Sequence, residues 1–206
     1  MEQARPLQLA QGEALLLNRS LETACWFRLE IEAGIGRLSA SFGDSWPDVT
    51  LAFCGGSESE WVQFPHGSLC QIEALTPMRL RVSRGQSVQH QTGEPPSFQG
   101  LGQRELIAEW LLDLHLARHP VGTDARLAAL LRLLVSRFGI RTAEGYRLPF
   151  SLGHARMAEL ICATRSTVTR QLMLLRQAGQ VRPEDPPGGL LLMPSFVQQG
   201  PELRTR

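Results

Sequence analysis

No stretch of this 206-residue sequence approaches the roughly 18 consecutive apolar residues that a membrane-spanning helix needs. Its start, Met1 to Pro6, is polar and has no apolar run of the kind a secretory signal carries, so a cytoplasmic protein without membrane association is expected. The four cysteines, Cys25, Cys54, Cys70 and Cys162, form no C-x-x-C pair and stand beside no metal-spaced histidine. Zinc and iron–sulfur sites are therefore not expected, and neither is any other metal or cofactor. In a cytosolic chain these cysteines read as small buried apolar residues. A P-loop, a nucleophile elbow and a metal-spaced His/Glu motif are all missing, so the sequence carries no enzyme signal. Lysine is absent too: all 21 basic residues are arginines.

The arginines and acids that are present separate along the chain. Residues 1–119 hold nine arginines against 14 acidic residues, a net −5, and residues 120–206 hold 12 against six, a net +6. Such a distribution points to a last part that meets a polyanion and a first part that does not.

Short strand-like runs fill the first 95 or so residues: Ala24–Ile31, Gly36–Phe42, Val49–Cys54, Ser68–Leu75 and Met78–Val82. Several alternate apolar and polar residues, and turn residues bound them about every ten positions, the pattern of a β-sandwich, barrel or roll. Residues Ser87–Gly100, rich in Gln, Pro and Gly, read as a linker. A helix is then expected over Leu101–Arg118, with Ile107, Trp110, Leu114 and Ala117 at spacings of three and four and Leu106, Leu111 and Leu116 widening the stripe. A heptad-like seam with tryptophan at its centre suits a helix paired with another helix, so Ile107, Trp110, Leu111 and Leu114 are the candidate dimer interface. His119-Pro120 ends it. A second helix should run over Ala125–Phe138, capped by Thr123 or Asp124 and ended by Gly139.

The informative stretch is Ser151–Ala178, SLGHARMAELICATRSTVTRQLMLLRQA. Met157, Leu160 and Ile161 form the apolar face of a short helix, and Cys162-Ala163 breaks the pattern. Thr164 is a good N-cap for a following helix, in which Val168, Leu172 and Leu175 face inward. That leaves Arg165, Ser166, Thr169 and Arg170 facing outward near the helix N-terminus. Two short helices joined by a tight turn have the geometry that lays the second helix in the DNA major groove. Arg165 can donate two hydrogen bonds to guanine O6 and N7, and Ser166 and Thr169 suit base edges, thymine methyls or phosphates. Thr164, Arg156 and Arg182 complete the candidate contact set. Gln177–Val181, a turn at Pro183–Gly189, and Leu190–Met193 read as a two-stranded wing, and Pro194–Arg206 as a poorly ordered tail.

Over Ala155–Leu175, M-A-E-L-I-C-A-T-R-S-T-V-T-R resembles the recognition-helix pattern of the Crp/Fnr regulators. That resemblance implies base and phosphate contacts at Arg165, Ser166, Thr169 and Arg170. It also implies an α+β fold: an N-terminal antiparallel β-roll of the cyclic-nucleotide-binding-like jelly-roll kind (residues 1–99), a long dimerisation helix (100–119) and a C-terminal winged helix-turn-helix (120–206). The family's cyclic-nucleotide binders carry a Gly-Glu followed by Arg-Ser or Arg-Thr, whereas Val49–Val82 holds no such pair and no arginine before Arg79. An anionic ligand would lack its partner there. The expected function is thus a homodimeric, sequence-specific transcription regulator on palindromic double-stranded DNA, not dependent on a cyclic nucleotide. The β-roll would serve an unidentified effector or act as a scaffold touching RNA polymerase. The alternative is a winged-helix protein-interaction module, or a redox or small-molecule sensor, that no longer binds DNA specifically.

Overall fold

The computed structural model describes residues 6–17, 26–41, 48–56, 59–63, 67–84, 106–184 and 189–198. Cys25, Trp46, His66, His90, the linker at 87–100 and the wing tip at 185–188 lie outside them. The chain divides into two compact units, residues 1–111 and 112–206.

The first unit is built from eight strands: β1 (Leu7–Leu9), β2 (Ala14–Leu16), β3 (Trp26–Ala33), β4 (Ile35–Ser41), β5 (Val49–Gly55), β6 (Ser59–Gln63), β7 (Leu69–Ala74) and β8 (Met78–Arg84). They form two four-stranded sheets, ordered β1-β8-β3-β6 and β2-β7-β4-β5, with every described pairing antiparallel. The β-rich reading of the N-terminal part therefore holds. β1 and β2 have only three residues each, too few for an alternation to register. Ser59–Gln63, which is not among the strand-like runs read from the sequence, pairs along β3 as an edge strand.

β7 shows why the sheets fold as they do: buried and half-buried residues strictly alternate along it, putting Cys70, Ile72 and Ala74 into the core. β4 is buried on both faces. Leu38 sits opposite Ile72 on one face, while Arg37 pairs with Glu73 across to β7 and with Phe53 across to β5 on the other. On that second face Trp110, in the first half of helix α1 (Leu106–Arg118), meets Phe53 edge-on with ring centroids 5.1 Å apart. Such a pair contributes about 0.5–1.5 kcal/mol beyond its area burial. Between β3 and β4 the chain reverses at Gly34, with φ +90°, and a Cβ there would stand 2.4 Å from the Pro77 carbonyl oxygen. Only glycine fits that turn.

Helix α1 runs across the division between the units, and the second unit continues with α2 (Thr123–Phe138), β9 (Ile140–Arg141), β10 (Tyr146–Leu148), α3 (His154–Leu160), α4 (Arg165–Gln177), β11 (Val181–Glu184), β12 (Gly189–Leu192) and α5 (Pro194–Gln198). Its sheet is ordered β11-β12-β10-β9. Leu127, Leu130 and Leu134 of α2 are fully buried, as are Phe150, Leu160 and Val168.

Two expectations are corrected in this unit. Neither Thr123 nor Asp124 caps α2: the cap position is Gly122, with φ 97° and no side-chain cap bond. The chain enters this helix through a positive φ that only glycine adopts at low cost, so the helix starts one residue earlier than a side-chain cap allows. The C-terminal segment is not all tail, since Pro194–Gln198 form a helical turn that buries Phe196. Arg132 holds it from α2, donating Nε–H to the Phe196 carbonyl at 2.9 Å and placing its guanidinium 4.8 Å from the ring centroid.

Candidate nucleic-acid interface

Helix α3 has seven residues and buries Met157, Ala158 and Leu160. Its last turn leaves carbonyls without helical partners, and arginines from elsewhere in the unit satisfy two of them. Arg118 Nε donates to Leu160 O at 2.6 Å, and Arg126 Nη1 donates to Ile161 O at 3.0 Å. The chain then turns at Cys162, which has φ 52°, and the Ala163 N–H closes back on the Ala158 carbonyl at 2.9 Å. Cys162 is exposed, while Cys54 and Cys70 are buried. The reading of the cysteines as core residues is thus corrected at this position, where a left-handed turn directs the side chain away from the core.

Thr164 caps α4 as its sequence position implied: its Oγ1 accepts the Thr167 N–H at 3.2 Å. From that fixed start, Val168 and Leu172 are buried against the unit. Arg165, Ser166, Thr169 and Arg170 are all exposed on the opposite side of the first two turns. Among the described residues neither Arg165 nor Arg170 has an acidic partner, so both guanidinium forks are free to bind an anion or a base edge.

The other candidate contacts stand differently. Arg156 is half-buried and ion-paired with Glu159 in the next turn of α3 at 2.8 Å. Arg182 is exposed on β11, loosely facing Glu144 at 3.8 Å. The wing forms as an antiparallel pair from Val181↔Leu192 to Glu184↔Gly189.

One residue at this surface escaped the sequence reading. His154, the first residue of α3, places Nδ1 2.8 Å from Thr169 Oγ1. Fifteen positions separate the two, so no helical periodicity links them. The signal was only the helix-turn-helix itself, which brings the start of one helix beside the next.

The candidate dimer residues divide as well. Trp110 and Leu114 are buried within the single chain, and Ile107 is half-buried. Of the four, Leu111 is exposed, and Leu112 and Leu116 are exposed with it. Trp110, expected at the centre of a seam between two helices, instead packs on Phe53 of the same chain.

Residues 125–191, from α2 to β12, match the Crp-like helix-turn-helix domain. The chain is 34% identical to the global nitrogen regulator of Nostoc sp. strain PCC 7120, over 72% of this chain and 61% of that one. It is also 34% identical to the global nitrogen regulator of Synechocystis sp. strain PCC 6803, over 52% of this chain and 49% of that one. The chain belongs to the Crp/Fnr family. It spans about half to three fifths of the length of these curated relatives. Among solved structures, a CRP-family transcriptional regulator from Thermus thermophilus superposes with a TM-score of 0.61 at 14% identity, covering 94% of this chain and 97% of that one. At that identity the likeness is one of fold. It assigns the two antiparallel sheets of this Crp/Fnr chain to the family's β-roll and α3–α4 with β11–β12 to its winged helix-turn-helix. Among the described residues of this family member, no three His, Cys, Asp or Glu side chains group to hold a metal, and no helix is long and apolar enough to cross a membrane.

Proposed function

We propose that this protein is a sequence-specific DNA-binding transcription regulator that acts as a homodimer on a palindromic operator. The observation that carries the proposal is the outward row Arg165, Ser166, Thr169 and Arg170, with neither guanidinium paired to an acid among the described residues, on a helix whose other side is anchored by Val168 and Leu172. Laid in a major groove, that row offers two bidentate donors and two short hydroxyl side chains to base edges. The free N–H groups of the capped N-terminus favour a nearby phosphate.

The dimer reading rests on the face of α1 that the chain leaves uncovered. Leu112 and Leu116 lie one helical turn apart with Leu111 beside them, three large apolar side chains about half exposed or more. A second copy of α1 would cover them about a two-fold axis. Two recognition helices so related would read half-sites about 34 Å, or 10 bp, apart.

Independence from cyclic nucleotide has its own support. Arg37, the buried arginine of the β-roll among its described residues, is held by Asp48 and Glu73, each at 2.6 Å. It is not free to take a cyclic phosphate.

The test is selection from a pool of random duplexes, followed by binding measurements over a salt series without added nucleotide. A palindromic consensus, bound with an affinity that falls steeply as salt rises, is the expected result. Arg165→Ala should weaken that binding by roughly 1–3 kcal/mol and relax preference at one base pair. Weak, sequence-blind binding unaffected by Arg165→Ala overturns the reading.

A further inference from the structure

The Thr169 hydroxyl is engaged twice. It donates to the Arg165 carbonyl one turn earlier, at 2.9 Å, and its oxygen lies 2.8 Å from His154 Nδ1 on α3. A hydroxyl has one proton and a carbonyl has none. Both contacts are hydrogen bonds only if the proton goes to the Arg165 carbonyl and His154 supplies an Nδ1–H. The imidazole of His154 is thereby fixed as a donor toward Thr169.

This matters because Thr169 belongs to the exposed row on α4. In a helix, threonine divides between two χ1 rotamers, since its hydroxyl can turn back to a preceding carbonyl. A second partner on another helix selects one of them. With its proton committed inward, Thr169 cannot donate to guanine N7 or O6, to thymine O4, or to a phosphate. What it keeps for a base edge is its methyl group, which suits the C5-methyl of thymine, and one oxygen lone pair, which can accept but not donate.

We infer that His154 is a specificity-determining positioning residue: it locks Thr169 so that this position reads DNA through its methyl group and not by donating its hydroxyl proton. His154 need not touch a base to do this. The inference rests on the DNA-binding reading above and deepens it. It names the class of base contact, apolar toward thymine, that position 169 can make.

The test has one arm without DNA. Long-range proton–nitrogen NMR of the free protein, read from the neutral form of the His154 imidazole, should show Nδ1 protonated and Nε2 bare. The opposite tautomer overturns the inference. The second arm repeats the duplex selection with Thr169→Val, His154→Ala and the double variant.

Thr169→Val keeps the branched shape and loses only the hydroxyl, so it should select the wild-type consensus, with affinity within about threefold. His154→Ala frees the rotamer and should lower discrimination against guanine at one base pair about tenfold, the size of a single good base contact. Thr169→Val in the His154→Ala background removes the freed hydroxyl and should restore discrimination. If wild type selects a consensus that His154→Ala shares unchanged, or if Thr169→Val alone abolishes the preference, the inference falls and DNA binding stands. If wild type selects no sequence at all, the DNA-binding reading falls and takes the inference with it.

Discussion

Arg118, in the last turn of α1, donates its Nε–H to the carbonyl of Leu160, the last residue of α3, at 2.6 Å. Forty-two residues apart in sequence, the two are joined where α3 ends and the turn toward the recognition helix begins. A cation at a helix C-terminus both satisfies an orphan carbonyl and meets the negative end of the dipole. Arg118→Ala should destabilise the C-terminal unit by about 1.5–3 kcal/mol, the range for a hydrogen bond with a charged donor. Chemical denaturation checks this: a lowered midpoint with an unchanged slope is the expected form.

Thr164 sets where α4 starts. Thr164→Ala removes the acceptor for the Thr167 N–H and should cost about 1 kcal/mol, while Thr164→Ser should cost much less, because serine caps as well. Urea unfolding of the three proteins side by side distinguishes these outcomes. Equal stability of Thr164→Ala and wild type would show that the cap bond is not what holds the helix start.

The uncovered leucines of α1 give a prediction about assembly. Leu112→Glu with Leu116→Glu should turn a dimer into a monomer at micromolar concentration in analytical ultracentrifugation. Both side chains are exposed in the single chain, so the fold itself should be little affected, as surface substitutions usually change stability by less than about 0.5 kcal/mol. A double variant that sediments as a dimer would place the interface elsewhere.

The cysteines should react unequally. Burial pushes the Cys70 thiol up to about 11, with the Ser68 hydroxyl opposing the shift weakly, whereas Cys162 is exposed. At about pH 8 a thiol reagent should label Cys162 in the native protein and leave Cys70 unmodified until unfolding, because the thiolate is the reactive form. The same shift gives a sign for stability. The folded thiol holds its proton to higher pH than the ordinary value of 9.0. Its contribution is therefore complete below about pH 9 and is lost as pH rises toward about 11. Cys70→Ala should flatten that alkaline loss in a pH series of unfolding midpoints.

The sequence by itself determined the features that depend on neighbours a few residues apart. The strict alternation in β7, the Thr164 cap, the inward Val168 and Leu172, and the outward Arg165 to Arg170 row all follow from strand and helix periods and from one local hydrogen bond. Gly122 marks the limit of that kind of reading: it took the cap position from two better side-chain candidates because the entering chain needed a positive φ. Only the tertiary structure decided which face of α1 is covered, since Ile107, Trp110, Leu111 and Leu114 share one apolar stripe and nothing in the stripe says that Phe53 takes Trp110. The same holds for Arg118 on Leu160, Arg132 on Phe196 and His154 on Thr169. Each joins side chains brought together by packing across separate elements, and such contacts have no period in sequence from which they could be read.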